Sequence, residues 1–290
     1  MTHPIAAYKP TLPSHLVDAA VAAALAEDLG LAGDLTSAAT LPPEAVATAD
    51  FVTREAGVIA GLAFPEAAFR LIGPGLAFSS HVADGTPVAP GDSVARVHGP
   101  ARLVMSAERV ALNFLNALSG IATLTRRYAD EVEGTKARIC DTRKTTPGHR
   151  AFQKYAVRCG GGANHRYGLS DAVLIKDNHI AVAGGITAAL TAARAFVGHL
   201  VAIEVEVGSL AELEEALGAG AAIILLDNMD SATLRRAVAI TDGRAVLEAS
   251  GGVRLDRVRA IAETGVDFIS TSQITMAAPP LDLGLDVVIR

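Results

Sequence analysis

Tryptophan is absent from this 290-residue chain, and phenylalanine and tyrosine bring the aromatic share to only 4%. A core must therefore be built from aliphatic side chains, which are plentiful, since 50% of the residues are hydrophobic. Cysteine is scarce too. Cys140 and Cys159 show no CxxC spacing, which argues against a disulfide framework and reads as two buried thiols in a reducing compartment. The eight histidines form no HExxH and no Cys/His zinc pattern, so no transition-metal site built by the protein is expected. No apolar run approaches the roughly 18 residues of a membrane span, and the opening MTHPIAAYKP has no signal-peptide core. An excess of positive charge is also missing: the formal net charge is -6, which argues against a nucleic-acid or membrane-surface binder. A soluble, cytoplasmic protein is expected.

Against that acidic background, one stretch stands out. Asp141 to His179 holds ten Lys, Arg and His residues. Arg143 and Lys144, then His165 and Arg166, then Lys176 supply cations, with Pro147-Gly148 and Gly160 to Gly162 between them to permit tight backbone geometry. The apolar runs ARIC and DAVLI that precede Asp141 and Lys176 read as buried strands. Cations at the ends of buried strands are costly unless an anion meets them, so the pattern points to a small substrate with several negative charges.

Along the chain, Leu16 to Leu29 reads as an amphipathic helix, capped by Ser14 and stopped by Gly30. Short β-like runs from Ala47 to Val97, punctuated by glycine and proline, indicate a small α+β domain with an antiparallel sheet and a helix at Pro65 to Leu71. Ala101 to Glu133 reads as a long helical region broken near Gly120, with Arg109 as a surface or ion-paired residue. From Lys136 onward strands alternate with helices, which implies parallel strands joined by crossovers. A full eight-fold barrel takes roughly 250 residues and about 140 are present here. An irregular, incomplete α/β barrel fits best, and a doubly wound sheet remains the alternative.

The expected strands end in polar residues: Asp141, Lys176-Asp177, Glu206, Asp227-Asn228, Ser250, and Ser270 to Ser272. Parallel barrels carry their sites at those ends, so these residues are expected to converge on one mouth. Alternation in VAIEVEV puts Glu204 and Glu206 on one face, with Glu206 nearer the mouth. Glu206 and Asp227 are hard oxygen ligands suited to Mg²⁺ held mainly through a phosphorylated substrate, or carboxylates paired with Lys144 or Lys176. Glu204 reads as the partner of a barrel lysine. Ser250-Gly251-Gly252, before a helix starting near Arg254, offers backbone N–H groups as a phosphate seat, with Ser270 to Ser272 beside it.

DTRKTTPG, KYAVRCGGGANHRYGLSDAVLIKDNH, EVEV, LLDN and SGG, in this order, resemble the quinolinate phosphoribosyltransferase family. The likeness extends to SAERVALNFL around Arg109 and to the tail PPLDLGLD. It implies an N-terminal α+β sandwich (residues 1–112, rejoined by 274–290) and an incomplete α/β barrel (113–273). It also implies transfer of the phosphoribosyl group of phosphoribosyl pyrophosphate to quinolinate with decarboxylation. By this resemblance Thr142, Arg143, His165, Arg166 and Lys176 hold quinolinate, and Arg109 reaches it from a neighbouring subunit of a homodimer or hexamer of dimers. Lys144 faces the pyrophosphate. Glu206 and Asp227 serve the ribose hydroxyls and Mg²⁺, and Lys144, Lys176, Glu206 and Asp227 make up the catalytic set. Ser250, Gly251, Gly252, Thr271 and Ser272 take the 5′-phosphate, although members often carry glycine where this chain has Ser272.

Overall fold

A computed structural model describes residues 11–289, so the decapeptide MTHPIAAYKP lies outside the described residues. In chain order the elements are α1 (Ser14–Leu29), α2 (Leu35–Thr40), β1 (Val46–Thr53), β2 (Gly57–Val58), α3 (Ala63–Ile72), β3 (Ala77–Ser80), β4 (Pro87–Val88) and β5 (Ser93–Pro100). Then come α4 (Ala101–Glu131), β6 (Arg138–Cys140), α5 (Arg150–Cys159), β7 (Val173–Ile175), α6 (Asp177–Ala183) and α7 (Ile186–Phe196). The last are β8 (Ile203–Val207), α8 (Leu210–Gly218), β9 (Ile223–Asp227), α9 (Ser231–Thr241), β10 (Val246–Ser250), α10 (Leu255–Ala262), β11 (Phe268–Ser270), α11 (Gln273–Met276) and β12 (Leu283–Ile289). The described residues divide into two compact units, 11–124 with 151–161 and 278–289, and 125–150 with 162–277.

In the first unit an antiparallel sheet runs β12-β1-β5-β3. Strict alternation along β1 buries Ala47, Ala49, Phe51 and Thr53, the pattern of a strand with one covered face. Phe51 meets Phe69 and Phe78 edge-on at 6.0 and 6.2 Å. The tail strand β12 pairs antiparallel with β1 from Ala47–Ile289 to Thr53–Leu283.

Three expectations are corrected here. Helix α1 begins at Ser14 itself, with Pro13 at the cap and no side-chain cap bond. The division expected at 112/113 and 273/274 falls elsewhere, and α5 belongs mostly to the first unit. The reason is aromatic: Phe152 packs edge-on against Phe64 at 5.0 Å, and Phe64 stacks on Phe114 at 4.5 Å. The long helix α4 is continuous through Gly120. That glycine admits a neighbour rather than breaking the helix, since a Cβ there would sit 2.0 Å from the Pro279 carbonyl oxygen. Gly120→Ala should therefore destabilise the fold by about 3 kcal/mol through overpacking. Thermal unfolding measures this, and an unchanged midpoint would mean the tail yields freely.

The second unit is built on six parallel strands in the order β6-β11-β10-β9-β8-β7. The buried runs Val205 and Val207, Ile224 to Leu226, and Leu247 fill its interior. Helices start where capping side chains permit: Ser209 accepts from Glu212 N–H, and Asp230 from Thr233 N–H. The alternating rhythm is thus a parallel sheet, and the arc is incomplete. A single parallel bridge, Cys140 with Ala163, extends it one step beyond β6, and no strand pairing joins that segment to β7 among the described residues. No single helix among the described residues is long and apolar enough to cross a membrane.

Candidate active site

At the C-terminal ends of the six strands lies a cavity of about 720 Å³, lined wholly by the second unit. Glu206 and Asp227 stand at the ends of β8 and β9. Ser250, Gly251 and Gly252 follow β10, and Thr271 and Ser272 follow β11. From the other side Thr142, Arg143, Lys144, His165, Arg166 and Lys176 line the same cavity. Asp141 and Asp177 do not line it. Fully buried Asp141 anchors the chain after the bridge, accepting from Asn164 Nδ2 at 2.6 Å and His165 N–H at 2.9 Å. Asp177 is exposed in the first turn of α6. Arg109 is exposed on α4 in the first unit and is not a lining residue.

Charge is segregated around the rim. The cations follow β6, the bridge segment and β7, the strands that bound the open seam; the carboxylates and hydroxyls sit on the continuous arc β8 to β11. Arg166 straps the seam, donating from Nη1 to the Ala172 carbonyl at 3.0 Å. Its Nε is buried without a hydrogen-bond partner, as is that of Arg143. Burial and the nearby Arg143 charge push the Arg166 guanidinium below its usual pKa. Two guanidiniums held close with unpaired buried N–H groups are poised for a bidentate anion. Arg150 staples the two cationic loops, donating to Thr145 Oγ1 at 3.1 Å and to the Tyr167 carbonyl at 3.0 Å. Lys176 hydrogen-bonds Glu206, so Glu206 is paired as one of its two sequence readings had it.

Below the rim, His165 Nδ1 accepts the Arg166 backbone N–H at 2.7 Å. The ring proton therefore sits on Nε2, which faces Glu204 Oε2 at 2.9 Å. The partner of Glu204 is this histidine rather than a lysine, because Lys176 turns to Glu206. Glu248 lies alongside, its Oε1 3.7 Å from His165 Nε2. Burial, and then the charge of Glu204, push the Glu248 carboxyl up to about 7.

On the continuous arc, Gly251 and Gly252 adopt φ of +99° and +57°. Asn228, itself at φ 55°, donates its backbone N–H to the Ser250 carbonyl at 2.9 Å and its Nδ2 to Asp227 Oδ2 at 2.7 Å. The end of β9 is thereby docked on the turn after β10. Glu206 and Asp227 suit a hard divalent cation in donor chemistry, since each carboxylate has a second oxygen besides the one engaged by Lys176 or Asn228.

Asn228 lines the cavity as its place at a strand end led one to expect, whereas Arg150, Asn164, Glu204 and Glu248 complete the site without having been singled out for it. Only Glu204 left a signal, in its alternation with Glu206. For the others the contact exists only once distant loops meet.

Comparison with known proteins fits this geometry. The family model for the C-terminal domain of quinolinate phosphoribosyl transferase matches residues 121–286, and that for its N-terminal domain matches residues 34–119. The probable nicotinate-nucleotide pyrophosphorylase [carboxylating] of Bacillus subtilis is 43% identical over 263 residues, covering 91% of this chain and 90% of that protein. The nicotinate-nucleotide pyrophosphorylase [carboxylating] of Mycobacterium leprae is 45% identical over 271 residues, covering 91% and 94%. Among solved structures, the nicotinate-nucleotide pyrophosphorylase of Francisella tularensis superposes with a TM-score of 0.92 at 40% identity, covering 96% of this chain and 98% of that one. The chain belongs to the quinolinate phosphoribosyltransferase family.

Proposed function

We propose that this protein converts quinolinate and phosphoribosyl pyrophosphate to nicotinate mononucleotide, pyrophosphate and CO₂. The observation that carries this is the bipartite rim: buried guanidiniums with unpaired N–H groups at the seam, carboxylates and hydroxyls on the arc. Arg143, Arg166 and Lys176 take the two carboxylates of the pyridine, with Thr142 and His165 at the pocket wall. Lys144 faces the pyrophosphate. The turn Ser250 to Gly252, with Thr271 and Ser272, seats the 5′-phosphate on backbone N–H groups. Glu206 and Asp227 lie beside the ribose hydroxyls.

The bound pyridine nitrogen attacks C1 of the ribose as the C1–O bond to pyrophosphate breaks. Positive charge develops on the ribose, and the carboxylates of Glu206 and Asp227 stabilise it. Holding both carboxylates also fixes the angle of attack, a positioning effect worth up to roughly 7–11 kcal/mol in favourable cases. The quaternised nitrogen then draws the electron pair of the C2–carboxylate bond as CO₂ leaves, and C2 takes up a proton. Glu206 and Asp227 would hold Mg²⁺ together with the diphosphate, and the ion would neutralise leaving-group charge. Lys176 acts as a charge clamp.

Arg109 completes the acid pocket of a second copy in a dimer or hexamer of dimers. In support, Arg109 is an exposed cation on a helix, and α6 buries none of its residues while exposing Val182 at 90%, a face suited to cover by another subunit. Two free thiols suit the cytoplasm.

Incubation with quinolinate, phosphoribosyl pyrophosphate and Mg²⁺ should yield nicotinate mononucleotide, pyrophosphate and CO₂ in equal amounts; no product at saturation would remove the reading. Mixing inactive Arg109→Ala and Lys176→Ala chains should restore about a quarter of the activity in dimers with randomly exchanged subunits. Persistent inactivity after verified exchange would refute Arg109 acting across subunits.

A further inference from the structure

Lys144 lines the cavity as an exposed residue, and among the described residues its ammonium makes neither an ion pair nor a hydrogen bond. A point charge on a flexible four-carbon stem is aimed only as well as its backbone is held. Here the backbone is gripped on both sides by threonine hydroxyls. The Lys144 N–H donates to Thr142 Oγ1 at 3.0 Å, and its carbonyl accepts from Thr275 Oγ1 at 2.8 Å. Thr275 lies 131 residues further along, in α11, and is 5% exposed. It does not line the cavity itself.

A helical threonine commonly turns its hydroxyl to a carbonyl three or four residues back, and Thr275 Oγ1 does lie 3.2 Å from the Ser272 carbonyl. That carbonyl is already served by two backbone N–H groups, of Thr275 at 3.2 Å and of Met276 at 2.8 Å. The Lys144 carbonyl has no other donor among the described residues. A hydroxyl carries one hydrogen, and the contact to Lys144 is the one at the usual O–H···O length. The bond also joins neighbouring strand ends. Lys144 follows β6 and α11 follows β11, strands that pair at Cys140 and Ser270.

We infer that Thr275 is a positioning residue for the donor substrate: its hydroxyl fixes the root of Lys144 at a set distance from the turn of Thr271 and Ser272. This rests on the reading of phosphoribosyl pyrophosphate as the donor. Two loops then grip the two ends of one molecule, and one buried bond keeps them in step. Without that bond the root of Lys144 is free to turn, and its ammonium no longer meets the charge gathering on the departing pyrophosphate. The flanking groups keep supports of their own. Thr271 Oγ1 donates to the Val253 carbonyl at 3.1 Å and accepts the Gln273 N–H at 3.2 Å. Arg150 still holds Thr145 Oγ1 at 3.1 Å and the Arg143 carbonyl at 3.4 Å. The loss is therefore confined to Lys144.

Thr275→Val, which keeps the shape and removes the hydroxyl, tests the inference in the full chain. It should lower kcat/KM for phosphoribosyl pyrophosphate and raise the inhibition constant of pyrophosphate, each about tenfold. The inhibition constant of ribose 5-phosphate, which needs the seat but not Lys144, should stay within about twofold. Thr275→Ser retains the bond and should behave like the unaltered chain. In a Lys144→Ala background, Thr275→Val should shift the pyrophosphate constant by less than about twofold, because no ammonium is left to aim. Should Thr275→Val fold poorly, Thr275→Ala takes its place in the same comparisons. Equal weakening of pyrophosphate and ribose 5-phosphate would overturn the role, as would full activity of Thr275→Val or an undiminished effect without Lys144. No product from the unaltered chain would instead overturn the reaction on which the inference rests.

Discussion

Replacing Arg143 with alanine is expected to raise the KM for quinolinate by two to three orders of magnitude while moving that for phosphoribosyl pyrophosphate less than about fivefold. The magnitude follows from what the guanidinium lacks: its Nε is buried and unpaired, and on the proposed function a substrate carboxylate supplies the partner. Truncating one partner of a desolvated, hydrogen-bonded charge pair costs about 2–5 kcal/mol, and about 1.4 kcal/mol is tenfold. Lysine should not rescue, because a point charge cannot present the planar fork. Arg166→Ala should cost at least as much, since it also removes the strap to the Ala172 carbonyl across the seam. The selectivity is the stringent part. It follows from the cations standing at the seam while the carboxylates and hydroxyls, to which the proposed function assigns the sugar, stand on the arc. Steady-state kinetics with each substrate varied in turn settles it, and equal losses for both would refute the division.

The mirror-image result is expected for Gly251→Ala. A Cβ there would lie 2.2 Å from Asn228 Oδ1 and 2.9 Å from the Asn228 backbone nitrogen, at a φ of +99° that side chains rarely adopt. Asn228 is tied to Asp227 through its own amide, so displacing it turns the Asp227 carboxylate, which the proposed function sets beside the ribose. Strain of about 1–3 kcal/mol and a misplaced sugar should together reduce kcat/KM for phosphoribosyl pyrophosphate about a hundredfold. The KM for quinolinate should stay near its original value. A variant that lost quinolinate affinity instead would show that the two ends of the cavity are not independent.

Most of the second unit was legible because local pattern and tertiary role coincide there. An apolar run ending in a charged or hydroxyl residue is both a buried strand and the rim of a site, so Lys176, Glu206, Asp227 and Ser250 could be placed before any coordinates. Where a residue's role depends on a distant partner, reading along the chain failed. Gly120 carries the signature of a helix break, yet its lack of a side chain serves the Pro279 carbonyl. Helix α5 sits between two barrel segments in sequence, but Phe152 finds its aromatic neighbours in the first unit. Glu248 reads as an ordinary strand residue, and only the approach of β6, β8 and the bridge segment makes it a buried acid.

The unclosed seam has a consequence for how such a scaffold diversifies. In a complete ring, strand number and stagger dictate the diameter, so no single side chain can alter it. An arc with two free ends is released from that rule, and its width there is set by a side-chain tether, Arg166 to the Ala172 carbonyl. On the proposed function, exchanging that tether can resize the acid-binding jaw for a broader or narrower ring while the far half, still braced strand against strand, grips the same activated sugar. Acceptor choice can thus drift through lineages as donor choice stays put.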